Sequence, residues 1–159
     1  MHKLELKIPP PFVMIIAGLI AFLLSGRSLT FLLEQVNNSD FVGSLLWPLI
    51  FLALGIAINV SGVREFASHK TSINPLDPKQ SSMVVNSGIF RLSRNPMYLG
   101  LLFMLIAWAD YLDNFLAFSG ALFFILYVTR FQILPEERIL LDKFGEDYQN
   151  YLNSVRRWL

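Results

Sequence analysis

The sequence predicts an all-α membrane protein with about four transmembrane helices and a cytoplasmic, amphipathic helical tail. Hydrophobic residues make up 54% of the 159 residues and charged residues 16%, whereas an average soluble domain has roughly 45–50% and about 25%. The apolar residues are gathered into blocks, as in membrane helices. No internal repeat or low-complexity segment interrupts the chain, so residues 1–159 are interpreted as a single integral membrane domain.

The apolar blocks predict where the spans lie, at about residues 12–33, 41–60, 97–109 and 115–134. Residues 41–60 carry no charge and have the length of about 20 residues that a span requires. Residues 12–24 alone are too short. The first span is therefore expected to continue to residue 33, with Arg27 reaching towards the interface. No small-residue cleavage site follows it, so it is interpreted as a retained span and not as a signal peptide.

The distribution of basic residues predicts the orientation. The third and fourth blocks flank the polar turn Asp110–Asn114 and form a helical hairpin. With four spans, all of the 13 Lys and Arg residues except Arg27 lie on the same side as the N-terminus. Because Lys and Arg concentrate in cytoplasmic loops, the N-terminus, the loop of residues 61–95 and the C-terminal tail are predicted to be cytoplasmic.

Several kinds of site are disfavoured by composition. The chain has no Cys, which excludes disulfides, thiolate metal ligands and Cys nucleophiles. His2 and His69 are its only histidines, and no cluster has the spacing of metal ligands, so no metal is expected. The net charge of +1 gives no indication of nucleic-acid binding, and none is expected.

Two polar clusters stand at the outer ends of the predicted hairpin. Residues 94–98, Arg-Asn-Pro-Met-Tyr, precede the third block, and residues 135–138, Pro-Glu-Glu-Arg, follow the fourth. The hairpin brings both clusters to the cytoplasmic end. Two carboxylates beside an Arg and a Tyr are more than an anchor needs, and they suit a charged cofactor at the membrane interface.

Pro and Gly residues predict the local boundaries. Asn95-Pro96 suits the N-cap and first turn of the third span. Pro135 suits the start of a further helix, with Glu136 and Glu137 at its positive dipole end. Gly145 is expected to separate two short helices of the amphipathic tail.

The same residues also have purely structural interpretations. Glu136 and Glu137 would serve as first-turn acids on a solvated helix face. Arg94 would be an interfacial anchor or an ion-pair partner of Glu137, and Tyr98 an aromatic residue at the headgroup level. Arg130, at the end of the fourth block, either anchors that end or binds a substrate carboxylate.

The motifs resemble a known superfamily. Residues 88–100, Gly-Ile-Phe-Arg-Leu-Ser-Arg-Asn-Pro-Met-Tyr-Leu-Gly, resemble the signature of the isoprenylcysteine carboxyl methyltransferases and phospholipid methyltransferases. Residues 136–151, with the Glu-Glu pair followed by Phe-Gly-Glu-Asp-Tyr, resemble its second motif. Thr71–Pro75 resembles the segment that precedes the signature in bacterial members. The resemblance covers roughly residues 64–158.

This resemblance implies an integral membrane methyltransferase that uses S-adenosylmethionine. The implied pocket lies at the cytoplasmic end of the last spans and is closed by the C-terminal region, and a lipophilic or amphiphilic methyl acceptor reaches it from the bilayer. The implied cofactor-binding residues are Arg94, Asn95, Pro96, Tyr98, Gly100, Glu136 and Glu137. Arg130 is the catalytic candidate, as the holder of an acceptor carboxylate.

Two departures from the family pattern bear on the substrate. Asn95 stands where eukaryotic members usually have His, and an amide cannot act as an acid or base. Gln132 stands near the place of an Arg that holds the substrate carboxylate in the eukaryotic enzymes. Both departures weaken the expectation, taken from the family, that this chain acts on a prenylcysteine substrate.

Two other classes remain open at the level of sequence. One is a membrane reductase of related arrangement that uses NADPH, although such enzymes usually have more than four spans. The other is a non-catalytic helical membrane protein that binds a partner or lipid. Methyl transfer from a sulfonium needs positioning and exclusion of water rather than a metal, which fits the residues present.

Overall fold

The computed structural model describes residues 4–34, 41–69 and 76–159, and these are helical with irregular connections. The helices, named in chain order, are α1 (Pro10–Ser25), α2 (Leu29–Glu34), α3 (Phe41–Ser44), α4 (Leu46–Ser68), α5 (Pro96–Tyr111), α6 (Phe118–Val128), α7 (Leu134–Phe144) and α8 (Glu146–Ser154). Short 3-10 turns lie at Pro78–Gln80, Gly88–Arg91 and Phe115–Ala117, and a π-helical turn lies at Thr129–Ile133. Thr71–Pro75, Lys3 and Lys70, which the sequence analysis used, lie outside the described residues.

Within the described parts of the chain, two helical stretches are long and apolar enough to cross a membrane, and two shorter apolar helices accompany them. The long stretches are Leu46–Ser68, of 23 residues, and Phe115–Phe144, of 30 residues. At a rise of about 1.5 Å per residue, either exceeds the bilayer's hydrocarbon thickness of about 30 Å. The shorter helices are Pro10–Ser25 and Pro96–Tyr111. The all-helical fold with apolar helices agrees with the fold class predicted from the sequence.

The predicted first span, residues 12–33, is wrong as a single helix. Helix α1 ends at Ser25 because Gly26 adopts a left-handed conformation with φ of 67°, and its N–H bonds back to the Leu23 carbonyl. Helix α2 begins separately at Leu29. The expected extension of the first helix through Arg27 therefore does not occur.

The other predicted spans correspond to helices with somewhat different ends. Helix α4 continues to Ser68, past the expected end near residue 60, and the helix continues through Gly62, which is buried against Met97 of α5. Helix α5 begins at Pro96, with Asn95 at the N-cap position as predicted. The Asn95 side chain makes no capping hydrogen bond, however, and is used elsewhere.

Small residues allow the helices to pack closely. Helix α4 lies along α5 where Gly55 faces Gly100, and a Cβ added to Gly100 would lie 2.7 Å from the Gly55 carbonyl oxygen. Helix α1 packs on α6 in the same way, since a Cβ on Gly120 would meet the backbone of Ala17. Small residues at such contacts are typical of membrane helix pairs.

Pro135 lies in the first turn of α7, with Glu136 and Glu137 beside it, as predicted, but α7 continues a longer helical stretch and is not a separate helix. Residues 115–144 run as one helical stretch, and the π-helical turn at Thr129–Ile133 precedes the proline. Pro135 has no N–H to donate to the Phe131 carbonyl one α-helical turn earlier. That carbonyl instead accepts a hydrogen bond from the Leu6 N–H at 3.0 Å, which ties the N-terminal segment to this turn.

Arg27 lies at the end of the bundle formed by the hairpin turn. Its Nε donates to the Leu112 carbonyl at 3.0 Å and its Nη2 to the Asp113 carbonyl at 2.9 Å. The polar clusters that contain Arg94 and Glu136 stand at the opposite ends of α5 and of the long helical stretch. Arg27, which the sequence analysis placed on the side opposite the other basic residues, therefore also lies at the opposite end of the bundle from these polar clusters.

Candidate functional site

A cavity lies beneath residues 78–85, at the end of the bundle opposite Arg27, and has a volume of about 110 Å³. This is room for several water molecules. Its walls come from α4, the loop before α5, the start of α5, α7 and α8. The polar and aromatic side chains in the lining are those of Phe66, Ser81, Phe90, Arg94, Asn95, Tyr98, Glu136, Glu137, Tyr148 and Tyr151.

Glu136 is held at the wall of this cavity by two neutral donors. The Tyr98 hydroxyl donates to its Oε1 at 2.6 Å, and Gln132 Nε2 donates to the same oxygen at 2.9 Å. Both Tyr98 and Gln132 are buried. Helix α5 supplies Tyr98 from its first turn, and the π-helical turn supplies Gln132. The carboxylate is thereby fixed through one oxygen.

Glu137 is held by two cations instead. Arg94 Nη2 donates to its Oε1 at 2.8 Å, while Arg157 donates from Nε to Oε1 at 3.0 Å and from Nη2 to Oε2 at 2.7 Å. The Arg94 and Glu137 side chains are 9% and 12% exposed. The pKa of Arg157 is raised, chiefly by its hydrogen bonds to Glu137. The Arg157–Glu137 contact is bidentate and the Arg94–Glu137 contact is nearly buried, and charge-assisted hydrogen bonds of both kinds are strong.

Arg94 also binds the C-terminal segment. Its Nη1 donates to the carbonyl oxygens of Leu152, at 2.9 Å, and of Val155, at 2.5 Å. The backbone N–H of Arg94 donates to the Arg156 carbonyl at 3.0 Å. Among the described residues its buried Nε has no hydrogen-bond partner. A buried guanidinium N–H without a partner is costly, and Arg94 lines the cavity, so this donor suits an anionic ligand group.

Aromatic residues form the apolar part of the site. Tyr148 and Tyr151 of α8 are buried with Val85 and Phe90, and the Tyr151 hydroxyl donates to the Phe90 carbonyl at 2.8 Å. Phe66 packs edge-on to Phe90 with ring centroids 5.1 Å apart. Burial raises the pKa of both Tyr148 and Tyr151 above the usual value, so both phenols stay protonated. The wall can therefore receive a planar, apolar ring.

Six of the predicted cofactor-binding residues line the cavity together, and Gly100 does not belong to its lining. The six are Arg94, Asn95, Pro96, Tyr98, Glu136 and Glu137. The proposed alternative for Arg94, an ion pair with Glu137, is present at the same time. Gly100 is buried against α4, where its missing side chain lets α5 approach.

Arg130, the predicted catalytic residue, is also outside the cavity lining. Its Nη1 forms an ion pair with Glu5 Oε1 at 3.1 Å, and Arg138 Nη2 binds the other oxygen of Glu5 at 2.7 Å. The Arg130 side chain is 49% exposed while that of Glu5 is 2% exposed. The structure thus gives Arg130 an anchoring contact, and its role towards a substrate stays a prediction.

Sequence reasoning missed several residues of this site. Tyr148 and Tyr151 had a signal, since residues three apart share a helix face. Gln132 was noted only as a replacement for Arg. Arg157 gave no signal at all, because it reaches Glu137 only through the path of the tail after α8.

The apolar helices indicate a helical protein of membrane type, and its candidate site is the polar cavity at one end of the bundle. A family model described as phospholipid methyltransferase matches residues 44–147. That is more than half of the chain, and the protein belongs to this family.

Two relatives are similar to large parts of this chain. An uncharacterized protein of Haemophilus influenzae is 51% identical over 63 residues, which is 40% of this chain and 100% of the relative. The protein-S-isoprenylcysteine O-methyltransferase of Schizosaccharomyces pombe is 25% identical over 150 residues, covering 88% of this chain and 62% of the yeast protein. The chain is thus a distant homologue of that enzyme and spans less than two thirds of its length. No solved structure gives a significant match.

Membership of this family implies methyltransferase activity and leaves the methyl acceptor unspecified. It also identifies the class of cofactor, since methyltransferases of this family use S-adenosylmethionine. The resemblance seen in the sequence is therefore confirmed at the level of the family.

Proposed function

We propose that this protein is an integral membrane enzyme that transfers a methyl group from S-adenosylmethionine to a lipophilic or amphiphilic acceptor. One observation carries the proposal. Glu136, anchored through a single oxygen, and Arg94, whose buried Nε has no partner among the described residues, line one cavity walled by aromatic rings. A zwitterionic ligand with a planar base needs this combination of groups.

The residues present fit such a cofactor group by group. The Nε–H of Arg94 suits the carboxylate of the cofactor. Tyr98 and Gln132 bond only Oε1 of Glu136. The other oxygen, Oε2, suits either the amino group or the ribose hydroxyls of the cofactor. The rings of Tyr148 and Phe66 suit the adenine and, through their π faces, the sulfonium.

When bound, S-adenosylmethionine supplies an electrophilic methyl group that needs neither metal nor covalent catalysis. The protein's part is then to orient and to exclude water. Tyr98 and Gln132 fix the rotamer of Glu136, and the buried Tyr148 and Tyr151 close the cavity on the α8 side. Asn95 carries no titratable group and therefore cannot serve as a base for the acceptor.

The position of the cavity supports an amphiphilic acceptor. It lies where apolar helices end, so a polar head reaches the site while an apolar tail stays in the bilayer. A carboxylate or an amine head group fits equally well, and Arg130 is kept as a candidate contact for an acidic one. The cytoplasmic location of the site, the N-terminus and the tail follows from the basic residues and is part of the proposal.

The test is incubation of membranes containing the protein with S-adenosylmethionine that carries a deuterated methyl group, followed by mass spectrometry of extracted lipids and small molecules. The proposal expects a new species, heavier by the labelled methyl, that is absent with the Glu136→Gln variant. Labelling unchanged in that variant would reject the assigned site. Binding of NADPH, with no binding of S-adenosylmethionine or its demethylated product, would favour the reductase. Binding of neither would favour a non-catalytic helical protein.

A further inference from the structure

We infer that the neighbouring carboxylates Glu136 and Glu137 have different tasks, and that Arg157 is a positioning residue that locks the C-terminal tail onto Glu137. In this account only Glu136 of the two carboxylates contacts the cofactor, while Glu137 anchors a clasp formed by residues 155–158. The inference rests on the proposed function for the identity of the ligand. The clasp itself rests only on contacts within the chain.

The first support is the bonding of the Glu137 carboxylate. Arg94 and Arg157 together place three hydrogen bonds on it, and both of its oxygens receive at least one. The two hydrogen bonds that Tyr98 and Gln132 give to Glu136 end on one oxygen. A ligand therefore finds an open acceptor on Glu136 and a neutralised carboxylate on Glu137.

The second support is the number of places at which the tail is held. The Arg157 carbonyl accepts from Asn95 Nδ2 at 3.0 Å and from Ser93 Oγ at 3.4 Å. Trp158 packs against the core cluster of α1, α5 and α6, and its Nε1 donates to Thr129 Oγ1 at 3.3 Å. The tail thus joins the start of α5 to the long helical stretch, and the two elements carry Arg94 and Glu136 respectively.

The third support is what the tail does to Arg94. The carbonyl oxygens of Leu152 and Val155 occupy its Nη1, and Glu137 occupies its Nη2. These contacts fix the plane of the guanidinium and leave Nε as the N–H without a partner among the described residues. Arg157 therefore acts on the ligand through Glu137 and Arg94 and does not itself line the cavity.

One test needs no cofactor. Hydrogen–deuterium exchange is measured on peptides from residues 146–159 in the wild type and in the Glu137→Gln, Arg157→Met and Glu136→Gln variants. The clasp predicts that exchange in the tail rises by about tenfold in the first two variants and is unchanged in the third. Unchanged exchange in Glu137→Gln would overturn the clasp. Because this readout is independent of any ligand, it stands even if the methyltransferase proposal fails.

A second test measures the division of tasks. The affinity for S-adenosylhomocysteine is measured for Glu137→Gln, for Arg157→Met and for their combination. If the two residues act as one clasp, each single change weakens binding by about tenfold and the double change by little more. Partial restoration is expected in Arg157→Lys, which keeps the positive charge but loses the two-nitrogen fork that binds Glu137. Combining Glu136→Gln with Arg157→Met is expected to multiply the two losses. Multiplied losses in the Glu137–Arg157 pair would contradict the inference.

Discussion

The Tyr98 hydroxyl donates a hydrogen bond of 2.6 Å to Oε1 of Glu136, a residue 38 positions further along the chain. Tyr98 lies in the first turn of α5, and Glu136 lies in the last part of the long helical stretch Phe115–Phe144 that returns through the bundle. The hairpin therefore closes on this contact, and the two polar motifs of the sequence form one site.

Tyr98→Phe is expected to weaken the binding of S-adenosylhomocysteine by about tenfold or more. A hydrogen bond to a charged group contributes about 1.5–3 kcal/mol, and without it the Glu136 side chain has one anchor fewer. Isothermal titration of the purified protein measures the change. Tyr127→Phe is the matched control, since the buried Tyr127 hydroxyl has no hydrogen-bond partner among the described residues. Equal losses in the two variants would contradict the prediction.

Gly100→Ala is expected to destabilise the protein by about 1–3 kcal/mol, the usual cost of overpacking. The added Cβ would lie 2.7 Å from the Gly55 carbonyl oxygen, so α4 and α5 would have to separate. Thermal unfolding in detergent, followed by circular dichroism, measures the effect. Gly18→Ala is the control, because a Cβ there would meet its nearest neighbour, Trp108, at 3.8 Å. If Gly100→Ala left stability intact but abolished cofactor binding, Gly100 would belong to the site after all.

Arg130→Ala tests the catalytic role predicted from the sequence. If Arg130 binds the acceptor, this change raises the KM for the acceptor and leaves the affinity for S-adenosylhomocysteine unchanged. Arg138→Ala provides the comparison, since both arginines pair with the buried Glu5. Identical behaviour of the two variants would reduce Arg130 to an anchor of the N-terminal segment.

The orientation can be tested by cysteine labelling, because the chain contains no natural Cys. Ser28 lies near the Arg27 end and Ser154 near the site, and both are exposed. A membrane-impermeant maleimide added to intact cells is expected to label Ser28→Cys and to leave Ser154→Cys unlabelled until the membrane is broken. The reverse pattern would invert the topology.

The sequence was sufficient for the parts of the fold that local patterns determine. Apolar blocks identified the helices α4 and α5 and the long stretch after Phe115, since length and hydropathy suffice for that. Asn95-Pro96 located the start of α5, and Gly145, with φ of 54°, separates α7 from α8 as expected. The two sequence motifs identified six residues of the cavity lining, because the helical hairpin places the start of α5 beside the end of the long helical stretch.

What the sequence did not predict depends on contacts between distant segments. The break at Gly26 could not be told from a tolerated glycine within a span. The π-helical turn before Pro135 depends on the Leu6 N–H, which takes up the Phe131 carbonyl. Arg157 reaches Glu137 only because the tail follows α8 back to the start of α5. Such contacts have no local signature in the residues that make them.

The most direct test of the account is titration of the detergent-solubilised protein with S-adenosylhomocysteine, comparing the wild type with Glu136→Gln. Glu146→Gln, a change at an exposed acid of α8, controls for the loss of one charge. The account predicts saturable binding to the wild type and to Glu146→Gln, and binding at least about tenfold weaker in Glu136→Gln. No binding to a folded wild type, or equal affinity in all three proteins, would contradict it.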